Sequence, residues 1–350
     1  MEIEKLLRLT VDNHASDMHL TVDSPPVLRI DGVLAPMEGY DRLTDKDIDS
    51  IFEQITNLEQ RQFFSNELEL DLNYSIPDLA RFRINAMKQR GTMSLAFRMV
   101  PIKVPTINEM ELPQVLKKLI MKPNGLILIT GATGSGKSTT LAAMIDYLNT
   151  SERRNIITVE NPIEFMFKND KSIIRQRDLG YDTKSFSSAL IYALRHDPDV
   201  IVVGEMRDLP TVSAAVTAAE TGHLVLGTLC TINTVQAIDR IIDMFPSEQQ
   251  RQVRLQLSQI IEAVTCQQLI PKIGGGRAAA VEVVIANSVI RQFIYEAKVN
   301  DIIPNVEMSK LEGMQSMDQA LADLVRKKCI NMDEALDRTD NPAKLKKMLE

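Results

Sequence analysis

Gly125-Leu-Ile-Leu-Ile-Thr-Gly131-Ala-Thr-Gly134-Ser-Gly136-Lys137-Ser138-Thr139 decides how the larger part of this chain folds. An apolar run ends in a glycine loop that fits G-x-x-x-x-G-K-[ST]. Beyond it Leu141, Met144, Ile145 and Leu148 recur at helical spacing. Strand, loop and helix in that order is the context a phosphate-binding loop requires. Gly131, Gly134 and Gly136 let the backbone turn its N–H groups around phosphate oxygens, and the following helix N-terminus adds favourable partial charge. ATP is therefore expected on Gly131, Ala132, Thr133, Gly134, Ser135, Gly136, Lys137, Ser138 and Thr139. Lys137 should reach the β- and γ-phosphates and Ser138 should ligate Mg2+.

Outward from the loop, long apolar runs alternate with helical periods, the pattern of an α/β fold with a mostly parallel sheet covered on both faces. The expected strands are 125–130, 155–160, 200–204 and 224–228. A helix is expected from Ser247, capped by Ser247 with Gln250 and burying Val253, Leu257, Ile260 and Ile261. The final fifty residues read as a charged helical region.

The ends of these strands carry the acids that phosphoryl chemistry needs. Leu194-Arg-His-Asp-Pro-Asp-Val-Ile-Val-Val-Gly-Glu205-Met-Arg-Asp208 ends a buried strand in Gly204, where an aspartate is usual. That leaves Glu205 to position Mg2+ through water or to polarise the attacking water. Thr158-Val-Glu160-Asn-Pro-Ile-Glu164 ends another strand, with Glu160 beside the nucleotide and Glu164 as candidate general base. His223 opens a third strand and is a candidate γ-phosphate sensor, against the commoner role of a structural histidine. Cys230 reads as a small buried thiol.

Before residue 100 the pattern is different. Leu68, Leu70, Leu72 and Tyr74 alternate with polar residues, as do Ala80, Phe82, Ile84 and Ala86, and then Met93, Leu95, Phe97 and Met99. Period-two runs of this kind predict an antiparallel α+β domain over 1–100. A helix capped by Thr44 and another over Leu58 to Phe64 interrupt the strands. Arg81, Arg83 and Arg98 lie on the polar faces, either as a solvated face or as donors to a neighbouring subunit's ATP. Pro101, Pro105 and Pro113 exclude a continuous helix and make 101–113 the expected linker to a domain over 114–350.

Composition narrows the classes further. The chain has 350 residues, a formal net charge of -7, and scattered Cys230, Cys266 and Cys329 without a CxxC pair. This argues against a disulfide framework or a four-cysteine zinc site, and gives no general attraction to nucleic acid. The first residues do not read as a signal peptide, so a cytoplasmic protein is expected.

Taken together these residues resemble the type II/IV secretion ATPases, and among them the retraction ATPases of type IV pili. LRHDPDVIVVGEMRD, Ser16-Asp-Met-His-Leu, Arg29-Ile-Asp-Gly32 and Gly313-Met-Gln-Ser-Met-Asp-Gln-Ala320 carry the resemblance. It implies a PAS-like N-terminal domain, a RecA-like ATPase domain and a homohexameric ring. It also implies an acid box at Glu160 to Glu164, a histidine box at His223, and arginines supplied in trans by the first domain. The implied partners are an inner-membrane pilus platform protein and a related accessory ATPase, at the cytoplasmic face of that membrane. The sequence departs from the pattern at Asn161, at Cys230 where a second histidine is usual, and over Val289 to Glu296. A pilus-extension or secretion motor, a nucleic-acid translocase and a regulatory nucleotide-binding module are the competing readings. The absence of a tetracysteine site weighs against extension, the acidic balance against translocation, and Glu164 with Glu205 against an inactive module.

Overall fold

The computed structural model describes residues 2–30, 32–76, 79–100, 103–308 and 313–350. The chain forms two compact units, Met1–Lys103 and Val104–Glu350.

The first unit runs α1 (Ile3–Asp12), β1 (Asp17–Thr21), β2 (Val27–Ile30), β3 (Val33–Pro36), α2 (Asp45–Ile55), α3 (Leu58–Glu67), β4 (Glu69–Ile76), β5 (Ala80–Gln89) and β6 (Thr92–Val100). Its six strands pair antiparallel in the order β3-β2-β1-β6-β5-β4. Alternation puts Leu72, Phe82, Ile84, Leu95 and Phe97 into one core with Leu6, Leu7, Ile48 and Ile51 of the helices. Thr44 and Asp47 cap α2 reciprocally, and Asn57 and Gln60 do the same for α3. Leu68, expected inside a strand, instead ends α3 in the left-handed region at φ 64° and is exposed. Arg98 is not a free cation: its Nε donates to Asp17 at 2.9 Å. Burial alone would raise the Asp17 carboxyl, but the bonds from Arg98 and Ser16 outweigh it and hold it below the usual range.

The second unit runs α4 (Val115–Ile120), β7 (Gly125–Thr130), α5 (Lys137–Ser151), β8 (Asn155–Glu160), β9 (Ile173–Asp178), α6 (Phe186–Ala193), β10 (Val200–Val203), α7 (Leu209–Glu220) and β11 (Leu224–Leu229). It continues through α8 (Thr234–Asp243), α9 (Ser247–Ile260), β12 (Ile261–Pro271), β13 (Arg277–Ile285), α10 (Ser288–Tyr295), α11 (Ile302–Met308), α12 (Met317–Arg326), α13 (Met332–Leu336) and α14 (Pro342–Leu349). The sheet order is β13-β12-β7-β11-β10-β8-β9, parallel except where β13 returns beside β12. Every residue of β7, β10 and β11 is buried, as strands covered on both faces must be. Ile107 and Leu112 bury into the same core, so the stretch before α4 packs as part of this unit.

One expected cap is absent. Pro246 occupies the N-cap of α9, Ser247 is already helical, and Gln250 Nε2 donates to Phe245 O instead. Ile261 is not in that helix but opens β12. The C-terminal helices close over the far ends of β12 and β13, where Leu321, Ile330 and Leu345 bury with Ile270 and Ala280. Among the described residues no helix is long and apolar enough to cross a membrane.

Candidate active site

The site lies at the C-terminal edge of the parallel strands, where α/β sheets of this kind place ligands. Three glycines of the loop have positive φ, at 144° for Gly131, 80° for Gly134 and 88° for Gly136. Space adds to this, decisively at Gly131 where backbone stands in the way and less so at Gly136 where a side-chain amide does. A Cβ at Gly131 would collide with Ser135 Oγ and come within 2.5 Å of Gln267 O, and one at Gly136 would come 2.8 Å from Gln267 Nε2. Ser135 Oγ is buried and makes no hydrogen bond among the described residues. A cradle of this shape with an orphaned donor inside fits a phosphate group. Lys137 curls back on the loop, its Nζ donating to Gly131 O at 2.8 Å and Ala132 O at 2.9 Å. Thr139 follows on the first turn of α5, partly exposed.

Acids converge on the other side. Ser138 Oγ donates to Glu164 Oε1 at 2.9 Å, joining the loop to the segment after β8. Glu160 ends β8 and lines the same pocket as Ser138 and Glu164, a pocket walled by Ile145, Phe165 and Phe167. Burial pushes the Glu160 carboxyl above the ordinary glutamate range, against hydrogen bonds from Thr158, Gln176 and the Glu164 main chain, and the neighbouring Glu164 charge adds to the push. Glu205, just past β10, is paired with Arg207 and accepts from Cys230 Sγ at 3.6 Å. Among the described residues no group of three or more His, Cys, Asp and Glu forms a metal cage. Mg2+ carried by a nucleotide needs no such cage, since phosphate and water supply most of its ligands, and a hydroxyl with one carboxylate fits that requirement.

The rest of the 194–208 signature is architectural. Asp199 accepts from Asn155 N at 2.7 Å, Asn155 Nδ2 donates to the main chain of His196 and Asp197, and Asp208 caps α7. Gly204 is tightly placed: a Cβ there would stand 3.0 Å from both Glu160 Cα and Val159 O, so a side chain at that position requires the neighbouring backbone to shift.

Two expectations need correcting. His223 stands at the opposite end of the sheet from the loop: its main-chain O accepts from Gly125 N at the start of β7, while the loop begins after Thr130. Six strand residues put about 20 Å between those edges, so His223 does not complete this loop within its own chain. Its Nδ1 instead lies 3.0 Å from Ala218 O, closing the turn after α7. Cys230 is exposed rather than buried, because it sits on the active edge beside Glu205. Arg81 and Arg83 belong to the first unit, on β5, where Arg83 meets Asp71 at 3.4 Å across the strand pair.

Other residues at the site were not legible from spacing. Gln176 on the edge strand β9 donates to Glu160 Oε1 at 3.1 Å and Phe165 O at 2.8 Å, and its Oε1 accepts from Phe167 N at 3.0 Å. It thereby shapes the whole acid segment. A cleft of about 440 Å³ opens beside Gly131 to Ser135 on the side away from the acids, lined by Gln267, Arg277, Asp337 and Arg338. These come from β12, β13 and the turn after α13, and no local pattern ties them to the loop.

The chain is also similar to known proteins along most of its length. The chain is 44% identical over 342 residues to the type IV pilus retraction ATPase PilT of Pseudomonas aeruginosa, covering 98% of this chain and 99% of that protein. It is 41% identical to a twitching motility protein of Neisseria gonorrhoeae, over 90% of this chain and 84% of that one. Its fold superposes on a crystal structure of the pilus retraction motor PilT with bound ADP at a TM-score of 0.92, with 43% identity and 99% of each chain covered. The pattern of the Type II/IV secretion system protein family matches residues 3–329. With phosphate loop, strand-end acids and that match all in one chain, the protein belongs to the Type II/IV secretion system protein family.

Proposed function

We propose that this chain is a motor ATPase that hydrolyses ATP to power type IV pilus retraction and so twitching motility. The observation that carries hydrolysis is the glycine cradle of Gly131 to Ser138 set against Glu160 and Glu164, with Glu205 next in the chain after Gly204, which lines the same pocket. Likeness to PilT over the full length of both chains supports retraction as the work done. Lys137 and the loop N–H groups bind the phosphates, with Thr139 at the end of the cradle. Ser138 and Glu205 would hold Mg2+, which when bound neutralises phosphate charge. Glu164 takes the proton of the attacking water, and Glu160 keeps the acid segment against the loop.

In the same reading the first unit is a PAS-like domain over 1–100, residues 101–113 are the linker, docked on the second unit through Ile107 and Leu112, and 114–350 are a RecA-like ATPase domain with its helical C-terminal region. Arg81 and Arg83 complete a neighbour's site in a homohexameric ring, where transition-state charge rewards an arginine from outside. The ring acts at the cytoplasmic face of the inner membrane on the pilus platform protein, alongside a related accessory ATPase, and has no nucleic-acid partner. The full-length fold likeness to PilT supports this architecture, and the net charge of -7 supports the absence of nucleic acid.

Phosphate release separates the roles. Lys137→Ala should abolish both nucleotide binding and turnover, whereas Glu205→Gln should keep binding and lose turnover by about a hundredfold or more. Turnover at the wild-type rate in either variant would remove the assignment.

A further inference from the structure

The acids face one side of the phosphate loop, and a single buried residue meets the other. Gln267 on β12 is only 3% exposed, which is unusual for a glutamine outside a polar network. It reaches the loop at three points. Its main-chain O stands where a side chain on Gly131 would go, at 2.5 Å from a built Cβ. Its Nε2 stands 2.8 Å from the Cβ that Gly136 lacks. Its Oε1 accepts from Thr140 Oγ1 at 2.7 Å, and Thr140, itself 1% exposed, bonds through its N–H to Gly136 O at 2.9 Å. The start of the loop, its end and the first turn of α5 are thus all referenced to one side chain and its own carbonyl.

The strand that carries Gln267 cannot drift relative to the loop. β12 is hydrogen bonded to β7 up to the pair Cys266–Thr130, one residue short of both Gln267 and Gly131, and to β13 at the pair Gln267–Val281. A glutamine here costs more to bury than a leucine unless its amide is used. Gln267 is the residue that stands against both glycines, with Ser135 beside it at Gly131 and Leu269 beside it at Gly136.

We propose that Gln267 is a positioning residue that holds the phosphate loop in its nucleotide-binding shape, acting through Gly131, Gly136 and Thr140 without touching nucleotide. The role rests on the loop being the nucleotide site. Gln267 acts before any chemistry, so its loss appears in affinity and KM while kcat at saturation stays near wild type. Buried supporting bonds of this kind change ligand affinity by about tenfold.

The test is ADP affinity with Mg2+ by calorimetry on the full chain, with thermal melting of the nucleotide-free protein. Gln267→Leu, close in volume and without the amide, should weaken ADP about tenfold while the nucleotide-free protein still melts cooperatively, lowered by about 2–6 °C for the unpartnered Thr140 hydroxyl. Thr140→Val should weaken it in the same direction, and Thr140→Ser, which keeps the hydroxyl, should restore it. The double variant should bind no worse than Gln267→Leu alone, because the two changes remove one interaction. Wild-type affinity in Gln267→Leu, or effects that multiply in the double variant, would overturn the proposal. If Gln267→Leu does not fold, the Thr140 pair decides it: equal affinity for Val and Ser overturns it. Lys137→Ala separates the two readings. Lost ADP binding there with unchanged binding in Gln267→Leu sinks only the brace, and no ADP binding by wild type sinks the nucleotide site as well.

Discussion

Gly204 illustrates how much of this site is settled by single residues. It follows β10 directly, with its N–H donating to Val159 O at 2.7 Å and the position a Cβ would take 3.0 Å from Glu160 Cα. A side chain there presses on the backbone that carries Glu160. Gly204→Ala should lower stability by about 1–3 kcal/mol, measured by denaturant unfolding, and Gly204→Asp by more. Stability unchanged in the alanine variant would show that the strand end is looser than these distances say. At this scale the phosphate loop was fully legible, since all its residues are contiguous and each glycine answers to a φ or a close approach. Gln176 and Gln267 were not. A glutamine carries no spacing signal, and what makes these two matter is which strand lies beside which. Cys230 misled for a related reason: it directly follows the apolar run of β11, but that strand ends at Leu229 and Glu205 is what the thiol meets.

Among the elements, β8 ends in a buried acid whose charge is coupled to folding. Glu160 is raised in the folded chain chiefly by burial, so the native state binds that proton more tightly than the unfolded chain does. The resulting stability is complete below the ordinary glutamate range and is lost as pH rises through the higher folded-state value. Glu160→Gln removes this slope. Its stability relative to wild type should therefore increase with pH across that window and level off above it, in urea unfolding followed from about pH 4 to pH 8. A difference independent of pH would contradict the burial argument. The buried parallel strands were legible because continuous apolar runs leave few alternatives. The junction at Ile260 and Ile261 was not, because α9 becomes β12 with no glycine or proline between them and the apolar spacing runs on. β9 was hidden differently: Ile173–Asp178 is a half-exposed edge strand rich in charge, and its pairing with β8 is what makes it a strand.

Across the whole molecule, the proposed motor has a first unit bearing Arg81 and Arg83 and a second unit bearing the loop, with catalysis shared between neighbouring copies. Arg83→Ala and Lys137→Ala proteins should each be inactive alone. Mixed in equal amounts, they should regain turnover at about a quarter of their interfaces, where an intact loop meets an intact arginine. No recovery from mixtures that still assemble would place the arginines outside the reaction. The two-part organisation was legible because the hydrophobic period changes from two to mixed runs near residue 100, whereas the position of His223 needed strand direction and register. In the proposed motor hydrolysis at the Gly131 loop drives retraction, and counting surface pili on cells whose only copy carries Glu205→Gln tests this. Pili should accumulate while twitching is lost. Cells stripped of pili would mean that the same hydrolysis builds the filament.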